Sequence, residues 1–325
     1  MFQYIVRRIL WGITMLVVVV AFIFAIFFVL PGGALHKEKG QKYPPLAYQY
    51  AGRRPTLPVV RAITLRLGLN EPIYVQFGKY IGNLAQGDLG FDYQTHLPVR
   101  DELMPRLAPT MNLAFGASII WLLAGCASGV ISALRQRTLL DRTTMVAALV
   151  GLSFPTFFLG LVAVFFFDAR LGVYNTGNYI GLLQNPIAWF QALWLPWLVL
   201  AVTTAAAYTR MVRTNMLEVA SEDYIRTARA KGLPNRSVVR HQLRTALTPV
   251  LTMYGMDLSI LLGGAIVTET IFNIPGIGQY VVQAIPQNNI PVILGTSLIA
   301  AFFIILFNIL VDIAYGVLDP RISYS

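Results

Sequence analysis

Residues 9–30 read ILWGITMLVVVVAFIFAIFFVL, and this stretch decides the class of protein to which the chain belongs. Its 22 residues include no Asp, Glu, Lys or Arg. A helix rises about 1.5 Å per residue, so about 20 residues cross the roughly 30 Å of hydrocarbon in a bilayer. The stretch also exceeds the apolar region of a secretory signal peptide, which has about 7–15 residues. We therefore expect an uncleaved transmembrane helix after Arg7 and Arg8.

Five further segments have the length and apolar character of membrane spans. They are residues 110–134, 143–167, 189–208, 249–271 and 291–316. Across the whole chain, Lys, Arg, Asp and Glu make up 12% of the 325 residues, whereas a soluble domain contains about 25%. The sequence thus predicts an all-α membrane protein with six transmembrane helices.

The basic residues between the spans predict the orientation of the chain. Four short connections on one side hold 14 Lys and Arg residues, and two on the opposite side hold 1. The basic connections are residues 1–8, 135–142, 209–248 and 317–325, and the others are 168–188 and 272–290. Cytoplasmic loops carry the excess of Lys and Arg, so both termini are predicted to be cytoplasmic. The net charge of +10 follows from this topology and does not indicate nucleic-acid binding.

Composition divides the chain into three predicted parts. Residues 1–30 are the N-terminal tail and first span, residues 31–109 an extracytoplasmic segment, and residues 110–325 a five-helix core with the cytoplasmic loop 209–248. The extracytoplasmic segment is predicted to be partly helical, because Asn70 can cap a helix that Gly87 ends. Apolar residues at 73, 77, 80, 81 and 84 share one face of that helix. This face lies either in the membrane interface or on the span ends.

Small residues spaced four apart mark the predicted helix contacts, because membrane helices associate by close packing. They are Gly125 and Gly129 in the second span, Ala201 and Ala205 in the fourth, and Gly255, Ser259 and Gly263 in the fifth. Their recurrence in three spans predicts a tightly packed bundle.

The long cytoplasmic loop contains the signals of a short helix. Ser221 is predicted to be the N-cap, with Glu222 and Asp223 in the first turn. Arg229 and Lys231 occupy the predicted last turn, Gly232 the C′ position, and Pro234 prevents continuation. The sequence predicts a helix of about ten residues that projects about 15 Å into the cytosol.

One side of this helix is predicted to dock into another protein. Tyr224, Ile225 and Ala228 line that side, and Ala228 and Gly232 form a notch of small residues. Arg226, Arg229 and Lys231 flank the notch. A groove on a partner protein would fit this shape. The alternative is a surface helix that caps the bundle or binds anionic lipid.

Residues 225–233 (IRTARAKGL) and 240–249 (RHQLRTALTP) resemble the EAA loop of ABC-importer permeases, specifically of the oligopeptide/dipeptide branch. Arg226, Thr227 and Ala228 replace the Glu-Ala-Ala triplet, so only Ala228 and Gly232 match the general pattern. Further landmarks similar to those of the B-type peptide permease occur in order along the chain. They are residues 7–8 (RR), 87–90 (GDLG), 105–110 (PRLAPT), 153–156 (SFPT), 274–278 (IPGIG) and 318–322 (LDPRI). Residues 287–289 (QNN) depart from the charged pair expected there.

This resemblance implies the type I ABC importer architecture and a place in a bacterial or archaeal cell membrane. The chain would form half of the pore for di- or oligopeptides, and residues 221–236 would couple it to an ATPase. The implied partners are a second homologous permease subunit, one or two ATP-binding subunits, an extracytoplasmic substrate-binding protein and membrane lipid. The sequence has no G-x-x-x-x-G-K-[ST] phosphate loop. We therefore expect no enzyme activity or bound cofactor in this chain, and ATP and Mg²⁺ on the partner.

Acidic residues of the fifth predicted span are candidates for the translocation path. Asp257 lies eight residues into the span, where a charge costs about 2.5–3.5 kcal/mol. It either lines the path or bonds to a neighbouring helix or to the other permease subunit. Glu269 near the outer end is a gate candidate, together with Pro275 and Gly276 of the following turn. Asp312, near the inner end of the sixth span, is assigned no role.

Other functions stay open from the sequence alone. Related permeases carry nickel chelates, glutathione or oligosaccharides. From another class, an ion-coupled secondary transporter would use Asp257 and Glu269, and a non-transporting scaffold is the third alternative. A secondary carrier has no need of the capped inner helix. No catalytic or metal site is predicted from the scattered histidines and single cysteine, which are His36, His96, His241 and Cys126.

Overall fold

The computed structural model describes residues 2–29, 42–51, 56–263 and 265–318. Regular structure in these ranges is helical, apart from one β-bridge between Phe91 and Pro98. The α-helices of this part of the chain are α1 (Phe2–Phe24), α2 (Pro45–Tyr50), α3 (Leu57–Leu67), α4 (Ile73–Ala85), α5 (Val99–Leu134), α6 (Leu139–Ser153), α7 (Thr156–Val164), α8 (Pro186–Ala220), α9 (Asp223–Ala230), α10 (Asn235–Ala246), α11 (Thr248–Leu262), α12 (Ile266–Ile271), α13 (Ile277–Ala284) and α14 (Ile290–Leu318). Short π-helical turns extend α1 over Ala25–Val29 and α7 over Phe165–Arg170.

Between four and six segments of the described chain are long and apolar enough to cross a membrane. Four are single helices: Ile5–Val29, Val99–Leu134, Pro186–Ala220 and Ile290–Ile313. Two more qualify as bent pairs, namely Leu139–Ser153 with Thr156–Arg170, bent by 90°, and Asn235–Ala246 with Thr248–Leu262, bent by 45°. The first, second, fourth and sixth predicted spans thus lie in single helices.

The third and fifth predicted spans are interrupted. α6 ends at Ser153 because Phe154 takes an extended backbone, with φ −98° and ψ 126°. That conformation is favoured before a proline, and Pro155 has no N–H with which to continue the helical bonds. In the fifth predicted span, α11 ends at Leu262 and α12 begins at Ile266. A continuous helix over residues 143–167 or 249–271 is therefore wrong.

Two helices extend well beyond their predicted spans. α5 has 36 residues and α8 has 35, which corresponds to about 54 and 52 Å of helix. A hydrocarbon layer of about 30 Å covers little more than half of either. Asn185 caps α8 by accepting from the N–H groups of Ile187 and Ala188, each at 3.1 Å, and the helix runs past Tyr208 to Ala220. α8 thereby connects a candidate span directly to the short helix that follows it.

The first compact unit comprises Met1–Ala108, Leu262–Ile266 and Pro275–Ser325. Within it, α1 packs along α14. Gly12 permits the close approach, because a Cβ there would lie 2.4 Å from Ile309 Cδ1. An ion pair between Arg8 Nη1 and Asp312 Oδ2, 2.8 Å apart, joins the same two helices.

Helix α4 differs from its predicted start. It begins at Ile73 with Pro72 at the N-cap position and no side-chain cap, so the predicted Asn70 cap is wrong. Its end agrees with the prediction, because Gly87 has a left-handed backbone, with φ +76°.

The apolar face of α4 covers the end of a span. Phe77, Tyr80 and Leu84 pack against a buried cluster that includes Phe24 and Phe28. The rings of Phe24 and Phe77 lie 5.2 Å apart, and those of Phe28 and Tyr80 lie 5.1 Å apart. Of the two sequence alternatives, packing on the span end is therefore confirmed for this face.

The second compact unit comprises Pro109–Leu261 and Val267–Ile274. Here α6 packs along α8, and α5 meets the α8 backbone through two glycines. A Cβ at Gly125 would lie 3.0 Å from Ala205 O, and one at Gly129 would lie 2.8 Å from Thr209 O. The predicted small-residue contact in the second span is confirmed, because only glycine fits this crossing without displacing backbone.

Candidate coupling helix and buried acids

Helix α9, Asp223–Ala230, is the short helix predicted between the fourth and fifth spans. Glu222 occupies its N-cap position without a side-chain cap bond, and Asp223 lies in its first turn. Ser221 ends α8 instead, and its Oγ donates to Glu218 O at 2.7 Å. The predicted Ser221 N-cap is wrong because α8 continues to Ala220, which leaves Ser221 as a C-cap.

The C-terminal end of α9 follows the prediction. Gly232 has φ +73°, a left-handed conformation that glycine adopts without strain. Its N–H donates to Arg229 O at 3.0 Å, and the N–H of Leu233 donates to Ala228 O at 3.3 Å. These bonds satisfy two of the last helical carbonyls. Lys231 is the C-cap.

Two apolar residues fix α9 to its own chain. Ile225 is fully buried and Ala228 is 9% exposed, while the helix packs against α10 and α8. Tyr224 adds a hydrogen bond from its hydroxyl to Thr245 Oγ1 of α10, 3.0 Å long. Burial of one Ile side chain contributes about 1.5–3 kcal/mol. Ile225 is therefore the apolar anchor of α9.

The small residues of α9 do not form one exposed notch. Ala228 faces its own chain, whereas a Cβ at Gly232 would find no atom within 4 Å. The exposed side of α9 is instead charged, with Arg226, Arg229 and Lys231 all exposed. Arg226 lies 3.6 Å from Asp223, but such a surface pair adds little stability. The surface that α9 presents is thus a basic helix face rather than a small-residue groove.

A buried ion pair holds the extended part of α8, and sequence analysis missed it. Asp141 in the first turn of α6 is 3% exposed. It accepts from Arg213 Nε at 2.7 Å and Arg213 Nη2 at 2.9 Å. Ser132 Oγ donates to it at 2.5 Å and the Arg137 N–H at 2.9 Å. A bidentate Arg–carboxylate pair fixes orientation as well as distance, so α8 cannot rotate freely against the α5–α6 turn.

One half of this pair left a signal in the sequence. Thr138 and Asp141 form a Thr-x-x-Asp pattern, which marks the start of a helix. In the structure Thr138 caps α6, and its Oγ1 accepts from the Asp141 N–H at 3.4 Å. Nothing in the sequence connects Asp141 with Arg213, because 72 residues separate them.

Helices α8 and α10 are joined by a polar contact as well. Asn215 Nδ2 of α8 donates to Ala246 O at the end of α10, at 3.1 Å. Val238, Gln242 and Ala246 are the buried residues of α10. α8, α9 and α10 therefore form one connected element of the second unit, with Ile225 on its buried side and the basic residues outside.

Asp257 is placed on α11, where it is half-buried. The hydroxyl of Tyr208, a fully buried residue of α8, donates to Asp257 Oδ2 at 2.8 Å. This bond supplies the helix–helix contact that was one of the two alternatives for Asp257. A role in the translocation path stays a prediction.

Glu269 is fully buried in the first turn of α12. Thr110 Oγ1 donates to Glu269 Oε1 at 2.8 Å. The backbone carbonyl of Glu269 accepts from the Ile274 N–H at 2.8 Å. A carboxyl buried this deeply needs such partners, and a gate role stays a prediction.

The other two gate candidates lie at the start of α13. Pro275 is exposed, and Gly276 is the N-cap of α13, with an extended backbone. The carbonyl of Gly276 accepts from the Tyr280 N–H at 3.2 Å. These residues define a turn, and its role in a gate is likewise untested.

A polar cluster of the first unit was not foreseen. Tyr280 OH lies 2.7 Å from Asp92 Oδ2 and 2.5 Å from Glu102 Oε2. Asn289 Nδ2 and the Gln94 N–H also donate to Asp92, at 2.8 and 2.6 Å. Burial acts to raise the pKa of Asp92, but these hydrogen bonds to the carboxylate outweigh it and hold the pKa below its ordinary value. The cluster binds the loop after α4 to α5 and α13.

No group of three or more His, Cys, Asp or Glu side chains suited to a metal ion occurs in the ranges that the structure describes. The helices define the class of protein to which the chain belongs. The chain is a multi-pass helical membrane protein whose long α8 is followed by a short, charged helix.

Comparison with known proteins identifies the family. Residues 125–324 match the model of the binding-protein-dependent transport system inner membrane component, and residues 1–114 match the model of its N-terminal region. The chain belongs to this family and is a membrane permease of an ABC importer, a multi-component transport system.

Similar curated proteins match the chain end to end. A putative peptide transport system permease protein of Brucella abortus is 37% identical, over 99% of both chains. The dipeptide transport system permease protein of Alkalihalophilus pseudofirmus is also 37% identical, over the full length of both. A glutathione transport system permease protein of Escherichia coli has the same identity and coverage.

Proposed function

We propose that this chain forms half of the translocation pore of an ATP-driven peptide importer and that α9 transmits the motion of a separate ATPase to it. The observation that carries the proposal is the way α9 is attached to the rest of the chain. α9 is buried on one side through Ile225, and its outer side is basic. The helix that precedes it, α8, is itself a candidate span. A movement imposed on α9 would therefore pass into α8, which the Asp141–Arg213 pair connects to α5 and α6.

Peptide cargo is proposed from the relatives. Two of the similar proteins are named for peptide or dipeptide transport, and the third for glutathione, itself a tripeptide. Glutathione is therefore the second candidate cargo. Family membership argues against an ion-coupled carrier or a scaffold.

The proposed assembly follows the same reasoning. A second homologous permease subunit completes the pore, one or two ATP-binding subunits hold ATP and Mg²⁺, and an extracytoplasmic binding protein delivers the cargo. Six spans are obtained when each bent pair crosses the membrane once. The excess of basic residues then favours cytoplasmic termini.

Reconstitution in liposomes tests this function. The complete complex with ATP inside is expected to take up labelled dipeptides, tripeptides and glutathione, whereas this chain alone with a proton or sodium gradient is expected to take up none. The control is the complex loaded with a non-hydrolysable ATP analogue. Uptake by the chain alone, without nucleotide, would overturn the proposal.

A further inference from the structure

The first compact unit contains a cavity that the proposed coupling does not use. Its volume is about 230 Å³. It lies among α3, α4, the loop of residues 88–96 and the beginning of α14. Its wall includes residues of the predicted extracytoplasmic segment 31–109, together with Phe28 and residues of α14.

Apolar side chains form most of the cavity wall, including Phe28, Ile63, Leu67, Leu84 and Leu298. An apolar cavity of about 150 Å³ stays free of water and takes up benzene. A cavity of about 230 Å³ therefore has room for a benzyl-sized group with a short polar tail. It is too small to enclose a whole tripeptide.

Three tyrosines that line the cavity have unused hydroxyl groups. The hydroxyl oxygens of Tyr50, Tyr80 and Tyr93 are buried and have no hydrogen-bond partner among the described residues. Burial raises the pKa of each hydroxyl, so all three are neutral donors at physiological pH. Buried polar groups normally have partners, and exceptions call for an explanation. A ligand with acceptor oxygens would provide it.

Among the described lining residues, Arg66 is the one Lys or Arg, and the carboxylates of Asp88 and Asp92 also line the cavity. Arg66 Nη2 lies 2.5 Å from Asp88 Oδ2, and its guanidinium lies 4.7 Å from the centre of the Phe91 ring. Both members of the ion pair are about 40% exposed, at 41% and 38%. A guanidinium has five N–H donors, so Arg66 can bind a second carboxylate without releasing Asp88.

We propose that this cavity binds a small carboxylate with an aromatic or branched aliphatic body. The body occupies the space between Phe28 and Leu298, and the oxygens accept hydrogen bonds from the tyrosine hydroxyls and from Arg66. The ligand class follows from the apolar wall, the unused tyrosine donors and the N–H groups of Arg66 that do not contact Asp88. It does not depend on the cargo assigned to the transporter.

Binding of 3-phenylpropionate to the full chain in lipid nanodiscs tests the proposal, with calorimetry as the measurement. Nanodiscs avoid detergent, which would compete for an apolar cavity. Tyr80→Phe removes one unused donor and keeps the ring, so it is expected to fold normally and to weaken binding about fivefold to tenfold. Leu84→Trp fills the cavity and is expected to abolish binding. Tyr74→Phe on the same helix is the matched control, because Tyr74 is 76% exposed.

Four results would overturn the proposal. The first is the absence of saturable binding at millimolar concentration, and the second is unchanged affinity in Tyr80→Phe with wild-type thermal unfolding. The third is benzene binding as tightly as 3-phenylpropionate, because the polar groups would then contribute nothing. The fourth is octanoate binding more tightly than 3-phenylpropionate, which would indicate a site for lipid chains.

Discussion

Replacement of Arg213 by methionine is expected to destabilise the second unit by about 3 kcal/mol. Asp141 is 3% exposed and receives four hydrogen bonds, two of which come from Arg213. Breaking a buried pair from one side costs about 3–5 kcal/mol, because a charge is left without its partner. The bonds from Ser132 and from the Arg137 N–H remain, and the Arg213 side chain is 23% exposed. The cost therefore falls at the lower end.

Equilibrium unfolding of the purified protein would measure this cost, with a double-mutant cycle to isolate the pair. Asp141→Asn removes the charge that Arg213 neutralises, so Asp141→Asn with Arg213→Met is expected to cost at least about 1 kcal/mol less than the sum of the two single changes. Arg226→Met is the matched control on the exposed face of α9, with an expected change within about 0.5 kcal/mol. Additive single changes, or an Arg213→Met protein as stable as the wild type, would refute the reasoning.

Three further outcomes are expected. Gly129→Val places a Cβ only 2.8 Å from Thr209 O and should lower the free energy of unfolding by at least about 1–3 kcal/mol. Gly82→Val, where a Cβ meets no atom within 4 Å, is the control. Equal losses in the two variants would contradict the close crossing of α5 and α8. Ile225→Ala removes the buried anchor and should cost about 2–5 kcal/mol, seen as faster hydrogen exchange in α9 than in α8. The stability that Asp92 supplies should be complete above its ordinary pKa of 3.8 and should be lost as the pH falls through its lower pKa in the folded protein. Asp92→Asn should therefore flatten the acid unfolding curve in this pH range. An unchanged curve would show that the carboxylate contributes nothing.

The long apolar stretches and the C-terminal end of α9 were accessible to sequence analysis. A helix needs only length and apolar character to be recognised as a span, and Gly232 with its neighbours marks a helix end by local chemistry. The bend at Pro155 was missed because hydropathy averages over a window and does not register one residue. The proline itself was the available signal.

The contacts that fix the candidate site were not predictable in the same way. Ser221 reads as an N-cap, but α8 extends to Ala220 and uses it as a C-cap. The sequence shows that Ala228 is small but does not show whether it is exposed, and only the tertiary packing shows that it faces its own chain. The bond between Tyr208 and Asp257 links residues 49 positions apart, and no periodic pattern encodes such a pairing.

The number of cargo molecules taken up per ATP hydrolysed, measured in the reconstituted complex, tests the coupling role of α9 most directly. Arg226→Glu combined with Arg229→Glu reverses the exposed charge of α9 and leaves its buried anchor untouched. This ratio is expected to fall by about tenfold or more, while the thermal unfolding of the subunit stays unchanged. Arg61→Glu, an exposed change on α3, should leave the ratio at its wild-type value. A wild-type ratio in the α9 variant would contradict the coupling role.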